Sequence, residues 1–502
     1  IYAGRLVPIG DSFGSIWSAT ALAQVPYLSG IGLPTDPFNW VLSVFGVTLS
    51  SNPSLALAIF VFIAPSLVFA GFWMLTSLLL ARVWVRNLVG LSFALSPQVL
   101  MVQAMAGVAD LVTISVAPWL TFVLIKAATS YNSSRTWRWV GLAGLLAALI
   151  AVSNPMVFFL FVIFVIALGF NNIRKLAILS WFALPGAVLI YPWVLLAVEQ
   201  NQFALLTVSS SAFLLPASLY GSVTALFFLG AAGICAAASL FGTRLAVSVS
   251  SWVVAITLAL GSTYQPIAGS FAMQALSLAA LLVGTGLFLD DLKRKWAITA
   301  ASIAASAGAV ASGLVFGPLA PSQVSFGSQR QAPALVVAAA EVDEGIRTLR
   351  IDANGNQIDV ELLWGAGRSL EQTSLAYQLL LPASPISNEL AQLSGSLVAG
   401  NPSGVQDLLS SMGIDFVLLQ GDHQESISAA RVAIDSVTML QAAGKTPYGH
   451  LWQVVGSAKN TPSSLESPSN KNLQLGVLAA FLLLAIPTPA SIRGAKRLGK
   501  QK

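Results

Sequence analysis

Charge is scarce in this chain. Only 9% of its 502 residues are Asp, Glu, Lys or Arg. A soluble globular domain carries about 25%. A water-soluble fold of this length could not cover its surface with so few. Cysteine is nearly absent too. Cys235 stands alone in an apolar run, which excludes a disulfide framework and a Cys-based zinc site. His423 and His450 are the only histidines, so a multi-histidine metal centre is excluded. Walker A, HExxH and DxD patterns do not occur. Gly365 and Gly367 lack the third glycine and following helix of a dinucleotide fingerprint. No signal peptide precedes Ile1, and a chain without an initial Met reads as a fragment or processed product.

What the chain has is apolar length. It is 56% hydrophobic. A membrane helix needs roughly 20 mainly apolar residues. About eleven segments meet or approach that, near 53–81, 87–106, 108–127, 137–153, 155–170, 176–198, 221–241, 245–260, 271–289, 296–318 and 474–488. Residues 38–49 are too short to span and read as re-entrant or interfacial. Pro65, Pro97, Pro118, Pro185 and Pro192 fall inside apolar runs and predict kinks.

Basic residues set direction. Arg82 and Arg86 follow the first span, Lys126, Arg135 and Arg138 the third, and Arg174 and Lys175 the fifth. Arg244 follows the seventh, Lys293, Arg294 and Lys295 the ninth, and Arg493, Lys496, Arg497, Lys500 and Lys502 the last. Intervening loops hold Asp11, Asp36, Asp110 and Glu199, with Arg5 the one base among them before residue 320. The positive-inside rule reads this as an N-terminus outside and a cytoplasmic C-terminus. The net charge of +5 therefore signals topology, not nucleic-acid binding. Asp290 and Asp291 abut Lys293 to Lys295 and read as local charge balance.

The expected fold class is an α-helical polytopic plasma-membrane protein with a small extracytoplasmic α/β domain. Residues 1–52 form an outer loop, 53–318 the multi-span domain, 319–472 the outer domain, and 473–502 the last span and basic tail. Residues 321–472 hold 14 acidic and 8 basic side chains, a balance of −6. There, 347–351 and 358–363 alternate polar and apolar residues around the turn-forming stretch Asp352–Asn356, predicting a hairpin. Residues 390–399 and 405–412 have helical spacing, Gly413 is a helix terminator, and 416–419 and 451–455 read as strands. Residues 456–470, rich in Ser, Pro and Asn, read as a linker.

Candidate site residues cluster on the outer side. A carboxylate near the membrane surface can act as general base toward a sugar hydroxyl, or hold a divalent metal against a lipid phosphate. Asp11 and Asp36 are the catalytic candidates, and both also suit turn or helix-cap positions. Asp110 and Arg5 are candidates for binding substrate; Asp110 equally suits a helix N-terminus, and Arg5 a snorkelling position. Trp17, Trp40, Trp84, Trp119, Trp137, Trp139, Trp193 and Trp296 lie near span ends and read mainly as interfacial anchors. Trp17 and Trp40 are also placed to stack on a sugar ring.

The order of features resembles a known family. An outer loop with Leu6–Trp17 precedes the spans, and Asp110–Trp119 pairs an acid with a proline-bearing helix. An outer domain carries Gly413–Leu419 and closes with Leu451–Val455 before one last span and a basic tail. This resembles the membrane portion of large actinobacterial envelope proteins in which a cytoplasmic family 2 glycosyltransferase domain precedes a multi-span region. The resemblance implies an upstream nucleotide-sugar-binding domain as partner, beyond Ile1. The chain also looks like GT-C glycosyltransferases, which use polyprenyl-phosphate sugars and place a key acid in the first outer loop. That likeness points to Asp11, or alternatively Asp36. The leading reading is a membrane module of an envelope glycosyltransferase acting on lipid-linked sugar or cell-wall glycan. The rivals are a flippase for a lipid-linked saccharide and a non-enzymatic scaffold with a glycan- or partner-binding outer domain.

Overall fold

A computed structural model describes residues 2–3, 17, 20, 23–24, 32–33, 36–48, 53–104, 108–130, 133–170, 172–199, 201, 203, 206, 236–237, 240, 244–264, 270–291, 324–325, 332–343, 346–354, 357–365, 385–401, 404–421, 424–455 and 471–485. Two compact units emerge. Unit 1 comprises 1–21, 34–326 and 470–502, and unit 2 comprises 22–33 and 327–469.

Unit 1 is helical. Its described helices are α1 (Asn39–Thr48), α2 (Pro53–Thr76), α3 (Val83–Ala94), α4 (Pro97–Ala104), α5 (Val108–Thr129), α6 (Ser133–Ser153), α7 (Pro155–Gly169), α8 (Ile173–Leu179), α9 (Ala183–Glu199), α10 (Leu245–Tyr264) and α11 (Ser270–Asp291), with Lys471–Ala485 closing it. Among the described residues, five helical stretches are long and apolar enough to cross a membrane: Leu55–Thr76, Val108–Thr129, Arg135–Ser153, Lys175–Glu199 and Ala272–Asp291. Within 38–49 lies the ten-residue α1, about 15 Å long and too short to span. The predicted segments 296–318 and most of 221–241 lie outside the described residues.

Local chemistry sets the helix ends. Asn154 Oδ1 accepts from Val157 N at 3.2 Å and Pro155 opens α7, so α6 and α7 separate there. Pro97 likewise splits the expected span 87–106 into α3 and α4. A proline has no N–H to carry the helix through. Helix α10 packs along α11, α5 along α2 and α6, and α9 along α6 and the closing helix. Backbones approach closely where side chains are small. A Cβ on Gly71 of α2 would stand 2.5 Å from Trp119 Nε1. That indole donates to Leu67 O at 3.3 Å. Trp119 thus packs against a neighbouring helix rather than serving as an interfacial anchor. Trp193 is also buried within the bundle.

Among the described residues, Asp290 pairs with Arg82 and Arg244, from two other helices' ends. Residues 293–295 lie outside the described residues.

Unit 2 is α/β. Its strands β1 (Arg347–Asn354), β2 (Gln357–Trp364), β3 (Phe416–Gln420), β4 (Leu440–Thr446) and β5 (Gly449–Val454) form one sheet in the order β2-β1-β3-β5-β4. Strand β3 runs parallel to β1; the other neighbours are antiparallel. The parallel step is bridged by α13 (Pro385–Ala399) and α14 (Val405–Ser411). The β1–β2 hairpin pairs Asn354 with Gln357, so Asp352 lies in the strand, opposite Asp359, rather than in the turn. Only residues 355–356 separate the strands, which is all a two-residue turn needs.

Gly413 ends α14 as expected, with φ +60°. Ile414 N donates to Leu409 O at 3.0 Å and Gly413 N to Ser410 O at 3.1 Å, a Schellman closure. One sheet face buries Leu349, Ile351, Val417, Leu419, Trp452 and Val454 under α13, α14 and α15 (Gln424–Asp435). On the other, Phe416, Leu418 and Leu451 pack against α12 (Ala334–Val342). Trp452 Nε1 donates to Asp435 Oδ1 at 2.8 Å, so the buried indole keeps its polar end satisfied.

Candidate functional site

Asp36 stands at the entry to α1. It is 5% exposed. Its Oδ1 accepts from Phe38 N at 2.9 Å and its carbonyl from Asn39 N at 3.0 Å. This is the helix-cap geometry that an Asp before a short helix favours. A carboxylate held this way has a fixed direction, which a general base also needs.

One turn on, Trp40 meets Trp17 edge to face, with ring centroids 5.7 Å apart. Trp17 is tied down in turn. Its carbonyl accepts from Thr20 Oγ1 at 2.8 Å, and from Gln474 Nε2 at 2.7 Å. The Gln474 amide also donates to Thr20 Oγ1. Gln474 lies on α16 (Lys471–Ala485), so the start of the closing helix holds Trp17 and Thr20.

Three of the expected residues are therefore gathered: Asp36 and Trp40 on one helix start, and Trp17 against it. Gln474 was not among the sequence candidates. The only signal for it was an amide near the start of an apolar run. Asp110 is 3% exposed, in the first turn of α5, where its charge complements the helix dipole. Arg5 and Asp11 lie outside the described residues. Among the described residues, no three His, Cys, Asp or Glu side chains gather to hold a metal ion.

No family model matches the chain, and no curated protein matches it. Solved structures do. The arabinofuranosyltransferase AftD from Mycobacteria superposes with a TM-score of 0.53 at 17% identity, over 85% of this chain. The fold is GT-C-like. This chain spans 37% of that protein's length. An oligosaccharyltransferase from Archaeoglobus fulgidus matches with a TM-score of 0.42 and 14% identity, over 84% of this chain and 65% of its own. With five helices of spanning length, this is a membrane protein of GT-C-like fold.

Proposed function

We propose that the chain is the membrane portion of a cell-envelope glycosyltransferase that acts on a polyprenyl-phosphate-linked sugar or on cell-wall glycan. The observation that carries this reading is a buried, oriented carboxylate, Asp36, one turn from the Trp17–Trp40 pair in a GT-C-like fold. The likeness to an arabinofuranosyltransferase supports sugar transfer as the reaction class. It favours the version in which the membrane part is itself the catalyst over one in which it only anchors an upstream family 2 domain. That upstream domain is kept as a proposed partner.

In this reading unit 1 crosses the plasma membrane about eleven times. The N-terminus and residues 319–472 face outward, and the basic tail lies in the cytoplasm. Residues 1–52 then form the outer loop, 53–318 the spans, and 473–502 the last span and tail. Asp36 accepts the proton of an acceptor hydroxyl as its oxygen attacks the anomeric carbon. The polyprenyl phosphate departs with the bonding electrons. Trp17 and Trp40 supply a face for the sugar ring, and Asp110 and Arg5 contact other parts of the substrate. Asp11 is the second candidate base.

Asp36→Asn separates base from cap, because Asn keeps the Oδ1 acceptor. Transfer of radiolabelled sugar in membranes should fall about 10²–10⁴-fold, the usual worth of a general base. Membrane insertion should be unchanged. Full transfer in both Asp36→Asn and Asp11→Asn would sink the catalytic reading. Movement of labelled lipid across proteoliposomes with no transfer product would favour a flippase instead.

A further inference from the structure

Basic charge gathers at the C-terminal end of α2. This helix has 24 residues, so its ends are about 36 Å apart. Beyond its C-terminus, the turn before α3 closes on Asp290. The Asp290 carboxylate is 4% exposed and accepts from Ala81 N at 3.0 Å and Arg82 N at 3.1 Å. Arg82 Nε lies 3.9 Å from it and Arg244 Nη1 3.7 Å.

Backbone carbonyls orient the guanidinium groups further. Arg82 Nη1 donates to Leu289 O at 3.4 Å, and Arg244 donates to Leu79 O. Arg86 donates to Leu80 O through Nε at 2.9 Å and Nη2 at 2.6 Å. Three arginines thus sit on one turn in fixed directions. The side chains of Arg82 and Arg244 keep 36% and 40% of their surface exposed.

A purely internal clasp accounts for the burial of Asp290. It does not account for the surplus charge. Arg82, Arg86 and Arg244 outnumber Asp290 and Asp291, and Lys293, Arg294 and Lys295 follow directly in the sequence. Such a surplus at a helix-bundle end stands where an apolar span meets the headgroup layer.

We propose that this end of the bundle binds the phosphate headgroup of an anionic phospholipid. Planar guanidinium forks match phosphate oxygens. Basic clusters at span ends attract anionic headgroups. The proposal rests on unit 1 crossing a bilayer, but not on any transferase activity.

The test uses the full chain in nanodiscs of phosphatidylcholine, with or without phosphatidylglycerol. Native mass spectrometry reads the retained lipid, and thermal unfolding reads stability. Phosphatidylglycerol should be retained several-fold over phosphatidylcholine and should raise the unfolding temperature. Arg244→Gln should cut that preference several-fold. So should Arg86→Gln, which leaves the Asp290 contacts intact and guards against a folding defect in the first variant. Asp290→Asn should lose stability in phosphatidylcholine and regain part of it with phosphatidylglycerol, whose phosphate supplies an anion at the exposed sides of Arg82 and Arg244. Equal retention of the two lipids would overturn the proposal. So would a preference that both arginine variants leave intact, or equal stabilisation by inorganic phosphate. A failed Asp36→Asn transfer assay would leave this result untouched, so the two readings fail separately.

Discussion

The two units solve the burial problem in opposite ways. Unit 2 has an apolar inside: Leu349, Val417, Leu419, Leu393 and Trp452 are hidden and its helices turn polar faces outward. In unit 1, Phe62, Ile163, Val253 and Leu483 stand exposed, while Ser96, Gln98, Asp110, Thr113, Ser115 and Asn154 are buried. Some polar groups inside unit 1 are used within a helix, as Thr113 Oγ1 donating to Ala109 O at 3.0 Å, and others between helices. Ser277 Oγ on α11, for example, donates to Ala255 O on α10 at 2.8 Å. Water drives apolar side chains together in the first case. A bilayer offers no such drive, so helices associate through close packing and polar contacts. One chain therefore carries two opposite codes, and exposure of a Val means something different in each.

The largest stability effect should come from the water-driven core. Trp452→Ala removes a fully buried indole and should cost unit 2 about 3–5 kcal/mol. Hydrogen exchange over β3 and β5 would report it, and exchange in α5 and α6 should not change.

The sharpest test of the opposition is a matched pair of substitutions. Val253 is 58% exposed on α10 and Val432 71% exposed on α15. Val253→Lys should cost about 2.5–3.5 kcal/mol of insertion free energy, because its surroundings are lipid. Val432→Lys should shift stability by no more than about 0.5 kcal/mol, because its surroundings are water. Equal tolerance at both positions, read by membrane insertion and by thermal unfolding, would break the comparison.

Gly71→Val probes packing between α2 and α5. The new side chain meets the Trp119 indole and should cost about 1–3 kcal/mol in a thermal melt in detergent.

The smallest effect is a pH dependence confined to unit 2. His450 on β5 titrates below its ordinary value of 6.5. Burial is the main cause, followed by the nearby Arg431 and Lys445, with Asp435 opposing. The unfolded chain then takes up this proton first as pH falls. Unit 2 should lose stability as pH drops through 6.5 and below, and recover it above. His450→Gln should flatten that slope in urea melts monitored at Trp452.

Much of the helical layout was legible because hydropathy and helix-breaking residues act locally. The expected 155–170 became Pro155–Gly169 and 108–127 became Val108–Thr129. The β1–β2 hairpin and the Gly413 stop followed from alternation and turn chemistry in the same way. Less visible were α12, α15 and β4. Strand β4 has a mostly exposed run of small and polar residues, so no apolar alternation marks it. It pairs because β5 offers it an edge.

At the candidate site, Asp36 was legible as an acid in an outer loop, and Trp40 as an aromatic four residues on. That Trp17 meets Trp40 was not, and neither was Gln474, which reaches Trp17 across 457 positions. The distant partners of Asp290 were hidden for the same reason: its backbone donors lie 208 and 209 positions away.

By itself, then, the sequence determined that most of this chain is built for a bilayer, where several of its helices lie, and that a separate α/β domain interrupts them. Those properties depend on composition and on neighbours a few residues apart. Only the tertiary structure decided which carboxylate meets which arginine, which tryptophans share a face, and which amide holds Trp17. Such contacts arise from packing whole helices together, and no local pattern encodes a partner hundreds of residues distant.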